Sequence, residues 1–114
     1  IEAARFISGN LRKVKAVSVQ DEGIEDLRTT IAKAIEAVDE GDGVLILTDM
    51  FGGTPSNLSF SFLEPGKREV ITGVNLPMLL SAINKQDSDL KTLAAFVKQK
   101  AISSIIHATE ELNQ

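Results

Sequence analysis

An aspartate followed by a glycine pair marks the part of this sequence best suited to chemistry. Asp49 ends the apolar run 43–48, where a carboxylate is costly unless it is solvated, hydrogen-bonded or paired. Gly52 and Gly53 follow closely, and glycine permits unusual backbone angles and close approach of a ligand to the main chain. The segment therefore combines a candidate acid or base with a loop that could accommodate a ligand.

The residues after the glycines favour an anion as that ligand. Thr54 is suited to cap a helix whose first residue is Pro55. A helix start leaves backbone N–H groups unpaired and exposes the positive end of the helix dipole. With the hydroxyls of Thr54 and Ser56 as further donors, residues 52–56 are predicted to bind a phosphoryl group.

Structural alternatives stay open for these residues when each is taken alone. Asp49 could make an Asx turn, and Gly52 and Gly53 could form a turn that Thr54 caps for structural reasons only. The segment is also neither a P-loop nor a dinucleotide fingerprint, because it lacks the Lys-Ser/Thr ending and the G-x-G-x-x-G spacing.

The single histidine, His107, lies between Ile106 and Ala108 in a segment of ambiguous structure. A lone histidine in such a place is usually a surface residue, so we do not assign it as a nucleophile. The sequence has no cysteine, and one histidine with carboxylates alone matches zinc poorly. We expect no metal site and no cofactor.

The elements that position the candidate site alternate between strand and helix. Residues 43–48 are apolar without alternation, as in a strand covered on both faces. Residues 69–74 are a further strand candidate, after which Asn75 caps a helix with Pro77 in its first turn. A helix is also expected from Thr54, although the alternation in 58–62 has strand periodicity.

The remaining elements complete the pattern. Residues 1–8 fit the end of a helix, 13–20 a strand, and 24–39 an amphipathic helix capped near Gly41. A last helix contains Leu90, Leu93, Ala94 and Val97, with Asp87 or Ser88 as its cap. Residues 103–108 fit either continued helix or a short edge strand. Alternating helices and strands predict one α/β domain with a mainly parallel sheet.

Composition narrows the function further. The chain has 114 residues, 43% hydrophobic and 25% charged, with net charge −4, which describes an ordinary folded protein. Without a basic patch it is not expected to bind nucleic acid. Without a long apolar run or a signal peptide it is expected to be cytoplasmic, with no direct insertion into a membrane.

Two segments resemble the signature segments of the mannose-family IIA domains of the bacterial sugar phosphotransferase system. They are residues 47–57, LTDMFGGTPSN, and residues 71–79, ITGVNLPML. Their order and spacing also fit, and the order of elements fits over essentially the whole chain. The resemblance implies a doubly wound sheet with helices on both faces and an antiparallel C-terminal edge strand exchanged within a homodimer.

The resemblance also implies a phosphocarrier. In that family a histidine in a Thr/Ser-His-Gly motif after the first strand receives a phosphoryl group from HPr and passes it to a IIB component. Asp49 would hydrogen-bond and orient that histidine, residues 52–56 would hold the phosphoryl oxygens, and four further residues would line the site or contact partners: Thr48, Met50, Phe51 and Asn75.

The sequence departs from the family at the nucleophile, because it contains no Thr/Ser-His-Gly motif. We therefore expect that residues 1–114 are a single domain that is incomplete at its N-terminus. About 20 further residues would supply a strand, the histidine loop and the start of the first helix. The chain without them is expected to be inert.

Two other classes of function remain open at this point. One is a dimeric regulatory module that senses phosphorylation state without passing the group on. The other is a receiver-like domain in which Asp49 itself accepts phosphate. We rank the receiver third, because it needs an acidic pair after its first strand and a lysine after its last, and the sequence offers no clear candidate for that lysine.

Overall fold

The computed structural model describes Val14, Val17 and residues 24–49, 54–85 and 88–112. The helix predicted for residues 1–8 lies outside this part of the chain. The strand predicted for residues 13–20 also lies outside it, apart from Val14 and Val17.

Helix α1 spans Ile24–Val38, as the spacing of its apolar residues predicts. Leu27 and Ile31 are buried, four residues apart and therefore on one face. Beyond the helix, Gly41 adopts φ 97°, and its N–H donates to Asp39 Oδ1 over 2.9 Å. This left-handed turn, which glycine adopts without strain, directs the chain into the first strand.

Two parallel strands form the sheet of the described residues. Strand β1 spans Val44–Thr48 and β2 spans Arg68–Thr72, close to the two strand segments predicted from sequence. The pairing runs in register from Val44 opposite Arg68 to Thr48 opposite Thr72, so both strands end at the same edge. The α/β class and the parallel pairing are confirmed.

A short helix connects the strands, and two longer helices follow them. Helix α2 spans Thr54–Phe60, α3 spans Leu76–Asn84 and α4 spans Leu90–Ser103. The predicted helix at Thr54 is therefore confirmed, despite the alternating pattern that follows it. A final short helix, α5, spans Ala108–Leu112.

Two apolar clusters pack around these elements. Met78, Leu93, Val97 and Ala101 are buried between α3 and α4, where Leu45, Leu47 and Ile71 of the sheet pack against them. Leu27, Ile31 and Leu58 are buried where α1 meets α2, with Val17 against them. The first cluster anchors both strands to α4, on which Val97 is fully buried.

The N-cap of α4 differs from the prediction. Asp89 caps this helix, rather than Asp87 or Ser88, and its Oδ2 accepts from Thr92 N over 3.4 Å. A hydrogen bond with the Thr92 side chain, joined by one from the Thr92 backbone, lowers the pKa of the Asp89 carboxyl below its ordinary value. Three neighbouring residues could all serve as caps by type, and only the backbone geometry selects among them.

Of the two alternatives for residues 103–108, the antiparallel edge strand does not form in the described structure. Helix α4 continues to Ser103, and the chain leaves it through a turn in which Ser104 N and Ser104 Oγ both donate to Lys100 O. Local hydrogen bonds thus satisfy backbone groups that a strand would need to pair with a neighbour. Residues 105–107 are irregular and α5 follows.

In the part of the chain that the structure describes, no helix combines the length and the apolar character needed to cross a bilayer.

Candidate functional site

The two segments singled out in the sequence meet at the carboxyl end of the sheet. Thr48 and Thr72 are paired as the last residues of β1 and β2, and Val74 N donates to Thr48 O over 2.9 Å beyond that pair. Gly73 makes the turn with φ 84°. Parallel pairing therefore holds Asp49 and the loop before α3 at one edge, which is where open α/β sheets bind ligands.

Asp49 is exposed directly after β1. Its backbone position is fixed by the strand that precedes it, since Thr48 is held in the ladder on one side and by Val74 beyond it. A solvated carboxylate on a rigid strand end can accept a hydrogen bond from a group that docks against the sheet edge. Its exposure means that it needs no partner within the chain to be stable.

Thr48 lies in the opposite environment. Its side chain is only 8% exposed, and within the described residues its Oγ1 is buried without a hydrogen-bond partner. Leaving a buried hydroxyl unpaired costs about 1–3 kcal/mol. Because side chains alternate along a strand, Thr48 points to the face opposite Leu47, which packs against the α3–α4 cluster.

Both the oxygen and the nitrogen of the Asn75 side-chain amide make hydrogen bonds within the fold. Its Oδ1 accepts from Met78 N over 3.0 Å, which makes it the predicted N-cap of α3. Its Nδ2 donates to Ala101 O over 3.2 Å, near the end of α4. The loop after β2 is therefore tied to both helices of the main core, and this second bond was not foreseen from the sequence.

The loop between β1 and α2 carries the other predicted site residues. Four of them, Met50, Phe51, Gly52 and Gly53, lie outside the described residues. Thr54 and Ser56 belong to α2. For these two residues the structure describes the backbone only. The helix predicted to begin at Thr54 does begin there, and its predicted contact with phosphate stays a prediction.

His107 does not belong to this group of residues. It lies in the irregular segment between α4 and α5. Its Nδ1 lies 3.2 Å from Glu110 Oε2, and both side chains are more than 70% exposed. This is a local pair at the start of α5. No group of three or more His, Asp or Glu side chains in the described part of the chain is arranged to hold a metal ion.

A carboxylate at this sheet edge can orient an imidazole docked beside it, whereas the Thr48 hydroxyl is covered by the protein and is not open to such a group. The sequence predicted the strand end before Asp49 and the helix cap at Asn75, and their role in a site stays a prediction. It placed Thr48 at the site without revealing the unpartnered hydroxyl. The available signal was the occurrence of threonine at the end of an otherwise aliphatic run.

Comparison with known proteins gives a consistent result. The family model described as the fructose IIA component of the phosphotransferase system, EIIA-man, matches residues 1–99. The chain is 33% identical to the fructose-specific EIIA component of Bacillus subtilis (strain 168), over 99% of this chain and 80% of that protein. It is 33% identical to the sorbose-specific EIIA component of Lacticaseibacillus casei, over 82% of this chain and 70% of that protein.

Two further similarities extend this result. The chain is 31% identical to the mannose-specific EIIAB component of Escherichia coli (strain K12), over 78% of this chain but only 28% of that protein. The crystal structure of phosphotransferase system component EIIA from Streptococcus agalactiae superimposes with a TM-score of 0.68 at 24% identity, over 79% of this chain and 71% of that one. This second likeness concerns the fold alone.

Proposed function

Because this chain belongs to the EIIA-Man family of the sugar phosphotransferase system, we propose that it is a phosphocarrier between HPr and a IIB component. A role in that system and phosphotransferase chemistry follow from the family. The observation that carries the finer proposal is Asp49, an exposed carboxylate on the end of a rigid strand, beside the loop that Asn75 anchors.

The proposed chemistry is transfer between two imidazoles. The P–N bond of phosphorylated HPr breaks as a histidine ring nitrogen of this protein forms a new P–N bond. Asp49 accepts a hydrogen bond from the N–H of that histidine ring, which fixes its tautomer and leaves the other nitrogen free to attack. In the second step an acceptor group of the IIB component forms a bond to phosphorus as the P–N bond to this histidine breaks, and the histidine returns to its initial state.

Positioning of the transferred group is assigned to the loop between β1 and α2. Gly52 and Gly53 allow the main chain to approach phosphoryl oxygens, while Thr54 and Ser56 offer hydroxyl and backbone donors. Phosphoryl transfer depends chiefly on such positioning and on stabilisation of charge. The start of α2 at Thr54 supports this assignment.

Four residues complete the proposed site or its partner surface. Met50 and Phe51 follow Asp49 directly and would contact HPr or the IIB component. Thr48 and Asn75 would line the site from the ends of β1 and β2, where the pairing of Thr48 with Thr72 brings the two segments together.

The phosphoacceptor is proposed to be a histidine that precedes Ile1 in the complete domain. The only histidine of these residues, His107, lies in a Ile-His-Ala context rather than Ser/Thr-His-Gly, and it pairs locally with Glu110. Residues 1–114 alone are accordingly proposed to be inert in transfer.

The complete domain is proposed to be a cytoplasmic homodimer with a doubly wound sheet. The parallel pair β1–β2 and the likeness to the streptococcal EIIA fold support the sheet. A dimer is supported by the apolar surface near the C-terminus, where Ile102, Ile105, Ile106 and Leu112 are between 53% and 84% exposed. An exposed group of large apolar side chains is typical of a surface that another protein covers.

A reconstituted relay tests the proposal against the alternative of a regulatory sensor. The complete protein is phosphorylated, freed of HPr and mixed with the IIB component of its own system. A phosphocarrier loses its phosphoryl group to IIB within the mixing time of the assay, while heat-denatured IIB accepts none. A protein that holds the group unchanged in the presence of native IIB would instead be a sensor of phosphorylation state.

A further inference from the structure

Leu76 is an exposed apolar residue at the edge of the sheet where the site is proposed. It is the first residue of α3 and is 39% exposed. It lies two residues beyond Val74, whose N–H donates to Thr48 O over 2.9 Å at the carboxyl end of β1. Leu76 is therefore at the same edge as Asp49, which follows Thr48 directly.

The rest of α3 buries its apolar side chains in the fold. Met78 is 2% exposed in the core cluster between α3 and α4, and Ala82 packs against that cluster. An isolated exposed leucine is common on protein surfaces, so exposure alone does not mark Leu76 for a function. Its position does, because a protein that delivers a phosphoryl group at Asp49 has to approach this edge.

The backbone of Leu76 is held in place by bonds within the fold. Asn75 Oδ1 accepts from Met78 N over 3.0 Å, and Asn75 Nδ2 donates to Ala101 O over 3.2 Å. Pro77 restricts the backbone in the first turn of the helix. An apolar contact that is already ordered is gained at low entropic cost when a partner binds.

The size of a protein interface extends over this residue. Even a transient interface of about 1,000 Å² in total covers a patch on each partner that is more than 20 Å across. Two residues of chain span at most about 7 Å, so a patch centred on the end of β1 includes Leu76.

We infer that Leu76 is an apolar contact for phosphorylated HPr, which covers the start of α3 when it delivers its phosphoryl group at Asp49. This inference rests on the proposed function and names a residue that this partner covers. Leu76 contributes to binding of the carrier protein and does not touch the reacting atoms.

Substitutions of Leu76 in the complete protein test the inference. Leu76→Gln keeps the length of the side chain but makes its end polar. The KM for phosphorylated HPr should rise about three- to sevenfold, as expected when roughly two-fifths of a leucine side chain is no longer buried by the partner. Leu76→Ala, with a stronger helix former, should give a similar rise. Leu76→Met stays apolar and should keep the KM within about twofold of the parent.

The kcat distinguishes lost binding from a damaged fold. At saturating phosphorylated HPr, Leu76→Gln should transfer with the parental kcat, because only binding shared by the ground state and the transition state is removed. A parental kcat also shows that the site is intact in this variant.

Leu63→Gln is the matched control. Leu63 is 48% exposed, more than Leu76, but it lies between α2 and β2. The next residue, Glu64, donates from its N–H to Arg68 O at the amino end of β2. A protein bound at the carboxyl end of the sheet does not cover this position, so Leu63→Gln should keep the parental KM.

Three results would overturn the inference. An unchanged KM in Leu76→Gln, or an equal rise in Leu63→Gln, would show that HPr does not bind over Leu76. A shift of Leu76→Gln towards monomer in light scattering would assign the side chain to a subunit interface instead. If the parent protein accepts a phosphoryl group while any of these results is found, only this inference fails. If the parent accepts none, the proposed function itself fails.

Discussion

At the carboxyl end of β1, two consecutive residues meet opposite environments. Thr48 is buried with an unpartnered hydroxyl, whereas Asp49 is exposed. Strand β1 ends at Thr48, and Asp49 is exposed where the chain leaves the sheet. Of the two residues, Asp49 is the one open to a group that docks at this end of the sheet.

Asp49 can be tested without disturbing the fold. In the complete protein, Asp49→Asn keeps the size of the side chain but removes the charge that orients the proposed histidine. We expect transfer to slow roughly 10- to 100-fold, by analogy with the loss of a group that orients a metal-bound histidine. The urea midpoint should stay unchanged because the side chain is exposed.

Asp42→Asn provides the control for that measurement. Asp42 is also exposed, but it precedes β1 and so lies at the amino end of the same strand. Both variants change net charge equally, so any general electrostatic effect on HPr binding is shared. Equal transfer by Asp49→Asn and Asp42→Asn would remove Asp49 from the mechanism.

Single residues of the site differed in how far the sequence could predict them. The places of Asp49 and Asn75 in the fold could be predicted from the sequence. A carboxylate after an apolar run and an Asn before a Leu-Pro helix start are both local signals. The bond from Asn75 Nδ2 to Ala101 O links residues 26 positions apart. Likewise the burial of Thr48 depends on packing, and no local pattern encodes either feature.

Among the elements, β1 depends on how the chain enters it. Gly43 adopts φ 100° immediately before the strand, and an added Cβ would lie 2.9 Å from Leu90 Cδ2 and 3.0 Å from Lys67 O. The same Lys67 carbonyl accepts from Val44 N over 2.9 Å. The glycine thus lets the first rung of the sheet form beneath the start of α4.

Gly41 offers a matched comparison for this effect. It has nearly the same φ, 97°, but an added Cβ would meet nothing within 4 Å. Gly41→Ala should therefore cost about 1–2 kcal/mol of unfolding free energy from backbone strain alone. Gly43→Ala should cost at least about 1 kcal/mol more, because the Cβ also crowds a backbone carbonyl.

Urea denaturation of both variants gives the comparison directly. The difference between Gly43→Ala and Gly41→Ala isolates the crowding at Leu90 and Lys67 from the strain that the two positions share. Equal losses in unfolding free energy would mean that the structure absorbs the extra methyl group freely, and that Gly43 is required for its backbone angle only.

Helices and strands could be predicted from the sequence where the apolar periodicity was strong. The prediction was ambiguous where the structure of a segment depends on whether a neighbouring strand is available to pair with it. Helix α1 and strand β1 agree with the sequence to within one residue, since burial on one face or on both leaves a distinct pattern. Residues 103–108 carry apolar residues that suit helix or strand, and a strand forms only if an edge is available to pair with it. The choice therefore depended on tertiary structure.

At the scale of the molecule, the described residues place the carboxyl end of the sheet next to a well-packed apolar core. Val97 is fully buried within the cluster that holds β1, β2, α3 and α4 together, while Asp49 lies exposed at the rim. A phosphocarrier needs this division, because its site must be fixed in geometry yet open to two protein partners in turn. The exposed isoleucines Ile102, Ile105 and Ile106 lie at the end of α4 and in the segment that follows it, away from the strand end in sequence.

The most direct test of the phosphocarrier account is intact-mass measurement after incubation with phosphoenolpyruvate, enzyme I and HPr. It is made on residues 1–114 and on the same protein with its native upstream sequence restored. The account predicts that only the restored protein gains the mass of one phosphoryl group, and that brief acid treatment removes it, as expected for phosphohistidine. If the restored protein gains nothing, or if residues 1–114 are phosphorylated equally, the proposed carrier with an upstream histidine is contradicted.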